Sequence, residues 1–166
     1  TGGVSIFALQ LECMLGARPI VITRSNEKIQ RARSMGAVGS VNYQTTPKWP
    51  ERVMELPDGV GVDVVVEVGG AGTLERSVAA TRVAGRIALI GVLAGGTMNP
   101  TMMMRKSIRL QGIYVGSHDM FKRMNEAISS DQMKPVIDQT FPFADAACAY
   151  YAMQRAEHLG KLVVTC

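Results

Sequence analysis

The chain has 166 residues, 47% hydrophobic and 19% charged, with 18 Lys and Arg against 14 Asp and Glu for a net charge of +4. That length and apolar content suit one domain and exclude a disordered chain, and the mild positive balance without dense Lys/Arg runs argues against a nucleic-acid binder. No stretch approaches the ~20 apolar residues of a membrane span, no opening resembles a signal peptide, and Cys13, Cys148 and Cys166 form no CxxC pair, which together point to a cytoplasmic, reducing setting without membrane, disulfide or zinc framework.

Residues 3–15 are apolar nearly all round, interrupted by Ser5, Gln10 and Glu12, and predict a buried helix packed by Phe7, Leu9 and Leu11. Gly16-Ala17 stops it, and residues 19–23 (PIVIT) read as a short β-branched strand. Residues 26–35 predict an amphipathic, charged helix ended by Gly36, 38–43 a strand, 49–56 a short helix, and Pro57-Asp58-Gly59 a turn. The strongest strand is 62–68 (VDVVVEV), closed by Gly69-Gly70. A helix over 74–83, strands over 86–92 and 110–115, helices over 120–129 and 144–156, and a last strand over 161–165 complete the chain. Helix and strand alternate, and the strands lack period-2 patterning, as in a parallel sheet buried on both faces. The expectation is an α/β, doubly wound fold with halves meeting near Gly61 and no sequence repeat.

Gly2-Gly3, Gly69-Gly70, Gly91 and Gly116 stand at the predicted strand ends, where doubly wound sheets bind ligands and where glycine admits a close backbone approach. Thr1-Gly2-Gly3-Val4-Ser5 reads as the tail of G-x-G-x-x-G, with Ser5 in the place of the third glycine. The helix start would offer free N–H groups and a positive dipole end to a pyrophosphate. About 20 residues on, NAD-binding folds carry an acid for the ribose hydroxyls. Here the strand end is Thr23-Arg24-Ser25, without an acid, and Lys28 follows one turn later. These side chains suit a 2′-phosphate, so the pattern favours NADP over NAD, against the plainer reading of Lys28, Arg31 and Arg33 as a solvated helix face.

The runs TGGVSIFALQL, GARPIVITRSNEK, VNY at 41–43, GVDVVVEVGG, GRIALIGV and LQGIYVGS together resemble the medium-chain dehydrogenase/reductase superfamily, most closely its zinc-type alcohol dehydrogenase and quinone oxidoreductase branches. The resemblance runs over essentially the whole chain. It implies a Rossmann cofactor domain over 1–117 and a segment, 118–166, that returns to a GroES-like catalytic domain. The first Rossmann strand and that catalytic domain would precede Thr1 and are not in this sequence. It further implies that Gly2, Gly3 and Val4 form the pyrophosphate turn, and that Lys28 and Tyr43 hold a 2′-phosphate. Val68, Gly69 and Gly70 would line the ribose and nicotinamide side, with Ile90, Val92 and the backbone of Tyr114 and Val115 facing the nicotinamide. Homodimerisation would run through the edge strand over 108–115.

Hydride transfer is the cofactor's chemistry, and this sequence carries residues for its binding but none assigned to catalysis. The resemblance implies that any zinc of the family lies in the absent domain; in this sequence His118 and His158 are isolated from other donors, and tetrahedral zinc needs about four. Tyr43, Tyr114, Tyr150 and Tyr151 do not begin a Tyr-x-x-x-Lys motif, which disfavours a short-chain dehydrogenase. The 11 methionines, Met102-Met103-Met104 among them, suit flexible core filling better than a binding surface. The reading is the NADP(H)-binding portion of an oxidoreductase acting on alcohol/aldehyde or quinone/enone substrates. A stand-alone, non-catalytic nucleotide-binding module is the alternative.

Overall fold

The computed structural model describes residues 1–56 and 59–166, so Pro57 and Asp58 of the predicted turn lie outside the described residues. In chain order the elements are α1 (Gly3–Met14), β1 (Ile20–Thr23), α2 (Asn26–Ser34), β2 (Gly39–Asn42), α3 (Trp49–Glu55), β3 (Val62–Glu67), α4 (Ala71–Ala80), β4 (Thr81–Leu89), α5 (Thr101–Arg105), β5 (Arg109–Gly112), α6 (His118–Ser130), β6 (Ile137–Pro142), α7 (Ala146–Arg155) and β7 (Lys161–Thr165). Strands alternate with helices and pair in parallel, an α/β fold of the Rossmann type. The chain forms two compact units, one of residues 1–40 with 116–166 and one of residues 41–115.

In the first unit Ile6 and Leu9 of α1 are fully buried against Ala32, Ala37 and Leu159, with Val21, Met35 and Val136 packed around them. Ile6 thus joins Leu9 as the seat of α1, while Phe7 and Leu11 are only half-buried. Ser25 caps α2 by accepting the Lys28 N–H, a polar side chain meeting one of the helix's unsatisfied donors. The segment after Gly116 supplies α6 and the parallel pair β6–β7, and Gly160 bridges in parallel to Gly2 at the head of α1.

The second unit is built on the sheet β3-β4-β5, whose register sets Glu67 beside Leu89 and Leu89 beside Gly112. Leu74 and Val78 of α4 close over Ile87, with Val65, Leu89, Met103 and Ile108 packed at the margin. Met103 therefore acts as core filling, whereas Met102 and Met104 are exposed.

Several boundaries differ from the sequence reading. The helix predicted over 74–83 ends at Ala80, and residues 81–83 begin β4. The cause is tertiary: the Lys106 ammonium donates to the carbonyls of Val78, Ala79 and Thr81 at 3.2, 2.6 and 2.7 Å, closing the helix end from a distant loop. Strand β6 and helix α5 were not foreseen, and the third strand of the sheet stops at Gly112. Burial on both sheet faces is also corrected. Val64 is 55% exposed and β5 is exposed throughout, while Ile87 of central β4, the position on which Leu74 and Val78 of α4 pack, is fully covered.

Candidate functional site

In the first unit the chain enters α1 through Gly2, an extended N-cap without a side-chain hydrogen bond. Among the described residues no side-chain cap meets the N–H groups of the helix's first turn, the condition under which a helix start attracts an anion. Gly3 leaves room for Lys161, because a Cβ there would stand 2.8 Å from its Cε and Nζ. Val4 is exposed and Ser5 half-buried, so serine is accommodated in the third position of the turn.

The carboxyl end of β1 presents Thr23, Arg24 and Ser25. Thr23 is buried, and its hydroxyl lies 3.2 Å from that of Thr1. Ser25 is the α2 cap already described. Arg24 donates to the carbonyls of Arg155 and Ala156 at 3.3 and 2.7 Å, and Lys28 donates to those of Ala156 and His158 at 3.4 and 2.8 Å. These carbonyls cluster where α7 ends in the left-handed turn at Ala156, φ 53°. Lys28 is 9% exposed, not part of a solvated face. Burial pulls its ammonium below the ordinary lysine value and Arg24 adds to this, while Asp138, Glu157 and Glu27 oppose it. A 160 Å³ cavity beside it is lined by Lys28, Arg31, Asp138, Arg155, Glu157 and His158.

In the second unit the parallel register places the carboxyl ends of β3, β4 and β5 side by side. Val68, Ile90 and Ile113 follow those strands directly, and Val68, Val92, Tyr114 and Val115 are exposed there, Tyr114 at 95%. Ile90 is half-buried. Gly69 and Gly70 turn the chain from β3 into α4, and Gly70 adopts φ 74°, ψ −149°, where a Cβ would stand 2.7 Å from the Gly91 carbonyl oxygen. Tyr43 follows β2 with 40% of its surface exposed.

The sequence reading did not single out Glu67, which lies buried under the Gly69-Gly70 turn. A carboxylate inside the otherwise apolar run VVVEVGG was the available signal, since a buried charge must find donors. Nor did it foresee the α7 end around Arg24 and Lys28, for which no local pattern exists.

Among the described residues no three His, Cys, Asp or Glu side chains come together as a metal site. His118 opens α6, and the Cys13 thiol donates to the Met35 carbonyl at 3.5 Å. The donors among the described residues do not fit tetrahedral zinc. No helix among the described residues is long and apolar enough to cross a membrane.

Comparison with known proteins accords with this architecture. The family pattern described as zinc-binding dehydrogenase matches residues 3–130. A zinc-type alcohol dehydrogenase-like protein of Schizosaccharomyces pombe is 36% identical over 99% of this chain and 49% of its own length. A solved NAD-dependent alcohol dehydrogenase is 32% identical with a TM-score of 0.92, over 99% of this chain and 48% of that one. The Escherichia coli quinone oxidoreductase, solved with NADPH, is 26% identical with a TM-score of 0.84, over 99% of this chain and 54% of that one. The chain spans about half the length of the curated relatives first matched. The matched pattern, the parallel α/β fold and the glycine turn opening α1 together place this chain in the zinc-binding dehydrogenase family of the medium-chain dehydrogenase/reductases.

Proposed function

We propose that this chain is the NADP(H)-binding portion of an oxidoreductase acting on alcohol/aldehyde or quinone/enone substrates. The observation that carries the reading is the uncapped glycine entry to α1 in a unit whose β1 end reads Thr23-Arg24-Ser25, with a cation and no acid in that segment. When bound, the nicotinamide cofactor supplies the hydride chemistry. Gly2, Gly3 and Val4 offer backbone donors to the pyrophosphate, and the helix start favours its negative charge.

Arg24 and Lys28 supply positive charge for a 2′-phosphate, with Thr23 and Ser25 shaping the strand end that carries them, and in the second unit Tyr43 offers a phenolic hydroxyl. The α7 carbonyls orient both cations and leave Lys28 a third N–H. In the second unit, Val68, Gly69 and Gly70, with Ile90, Val92, Tyr114 and Val115, offer an exposed, largely apolar rim for the ribose and nicotinamide. Substrate contacts and any zinc belong to a catalytic domain outside this chain, to which the segment after Ser117 returns.

The exposed edge strand β5 supports a homodimer formed by pairing with a second copy. Light scattering on the protein tests this, and a monomer at micromolar concentration refutes it. The unpaired cysteines support a cytoplasmic, reducing setting. Fluorescence titration with NADPH and with NADH tests the cofactor reading. Tighter NADPH binding is expected, and equal affinity or a preference for NADH overturns the specificity.

A further inference from the structure

We propose that Glu67 is a positioning residue of the cofactor site: its buried carboxylate locks the Gly69-Gly70 turn and makes this strand end receive hydrogen-bond donors, not phosphate. The inference rests on the cofactor reading above. Glu67 closes β3 and is 4% exposed. Among the described residues no ion pair reaches it, so hydrogen-bond donors must compensate its burial. They do so fully. Oε1 accepts the N–H groups of Gly69 and Gly70 at 2.7 and 3.1 Å and the Thr73 hydroxyl at 2.7 Å, while Oε2 accepts the Ser77 hydroxyl.

The Glu67 backbone carbonyl also accepts the N–H groups of Ile90 and Gly91 at 2.9 and 3.0 Å. One residue thereby joins the end of β3, the first turns of α4 and the end of β4. A glycine turn leading into a helix is ordinarily a place where backbone N–H groups meet a phosphate. Here those N–H groups already face an internal anion, which also sits where the α4 dipole favours negative charge. An incoming phosphate would find its donors engaged and a like charge beneath them. Ribose hydroxyls or a carboxamide N–H, as donors, suit the negative potential of this turn. The head of α1, with no side-chain cap and Lys161 against Gly3, has the opposite character.

The test compares NADPH with 2′,5′-ADP, a probe lacking the nicotinamide half, on the full-length protein carrying this chain. Glu67→Gln keeps the side-chain volume and one carbonyl acceptor but removes the charge. It should raise the NADPH Kd about tenfold while 2′,5′-ADP stays within about twofold of the wild type. Thr73→Val, which deletes one donor without changing bulk, should move NADPH in the same direction by less, and it carries the comparison if Glu67→Gln does not fold. Parallel weakening of both ligands together with a lower Tm marks Glu67 as merely structural and overturns the proposal. So does an unchanged NADPH affinity in both variants. Failure of the wild type to bind either probe instead overturns the cofactor reading itself, and the role of Glu67 with it.

Discussion

Replacing Lys28 with methionine probes the specificity of the first unit most sharply. Methionine keeps the apolar stem and removes only the ammonium. Lys28 has three N–H donors, and the carbonyls of Ala156 and His158 take two of them. A 2′-phosphate therefore gains one charge-assisted hydrogen bond, so the lower end of the range for such bonds applies, about 1.5–2 kcal/mol, or roughly 10- to 30-fold in Kd. NADH has no 2′-phosphate, and its affinity should change less than about twofold. The fold loses the donors to the Ala156 and His158 carbonyls but also sheds a desolvated charge, so the net stability change should stay within about 1 kcal/mol. That corresponds to a Tm shift of about 2–4 °C for a domain of this size. Nicotinamide-fluorescence titrations of both cofactors, with a thermal melt as control, read all three quantities. Equal weakening of NADPH and NADH, or an unchanged NADPH affinity, refutes the assignment of Lys28 to the phosphate.

Three further outcomes follow from the same contacts. Because burial lowers the Lys28 pKa from its ordinary 10.5, the preference for NADPH should decline at a pH below the usual lysine range. Lys28→Arg, which stays charged, should retain the preference, and identical pH profiles for the two proteins would count against this. Ile87→Ala empties the centre of the cluster with Leu74 and Val78 and should cost about 2–5 kcal/mol in urea unfolding; a loss below about 1 kcal/mol would show that Ile87 is not central to that core. Burial raises the Glu12 carboxyl from 4.5. The native state then binds more protons than the unfolded chain between the two pKa values, so this group lowers stability as pH rises through that window. Glu12→Gln should accordingly raise Tm at pH 7 and lose its advantage below about pH 4, and a destabilised variant at neutral pH would refute the sign.

The alternating elements were legible because their signals are local. The β-branched run 62–67, the charged helix 26–34 with its Ser25 cap, and the glycines closing each strand announce themselves within a few residues. What escaped was set at a distance. Residues 81–83 carry no Gly or Pro to stop α4, and only Lys106, 25 residues beyond Thr81, shows why the helix ends earlier. Strand β6 carries a mixed sequence, IDQTFP, and becomes a strand through parallel pairing with β7.

The same division runs through the candidate site. The glycine entry to α1 and the acid-free end of β1 were visible in order. That Thr23 turns to Thr1 depends on a residue 22 positions away, and that the carbonyls at and beyond the end of α7 hold Arg24 and Lys28 depends on residues more than a hundred positions away. Glycine turns that look alike in sequence also differ in potential. One carries an uncapped helix start beside Lys161, and another covers the carboxylate of Glu67.

Amide chemical-shift mapping of the protein during titration with NADPH tests the central claim most directly. The account predicts the largest changes at the N–H groups of Gly3, Val4 and Ser5 and at Arg24 and Lys28, with smaller changes at residues 68–70. Saturating NADPH that leaves the first turn of α1 unmoved, or shifts only residues away from these strand ends, would contradict it.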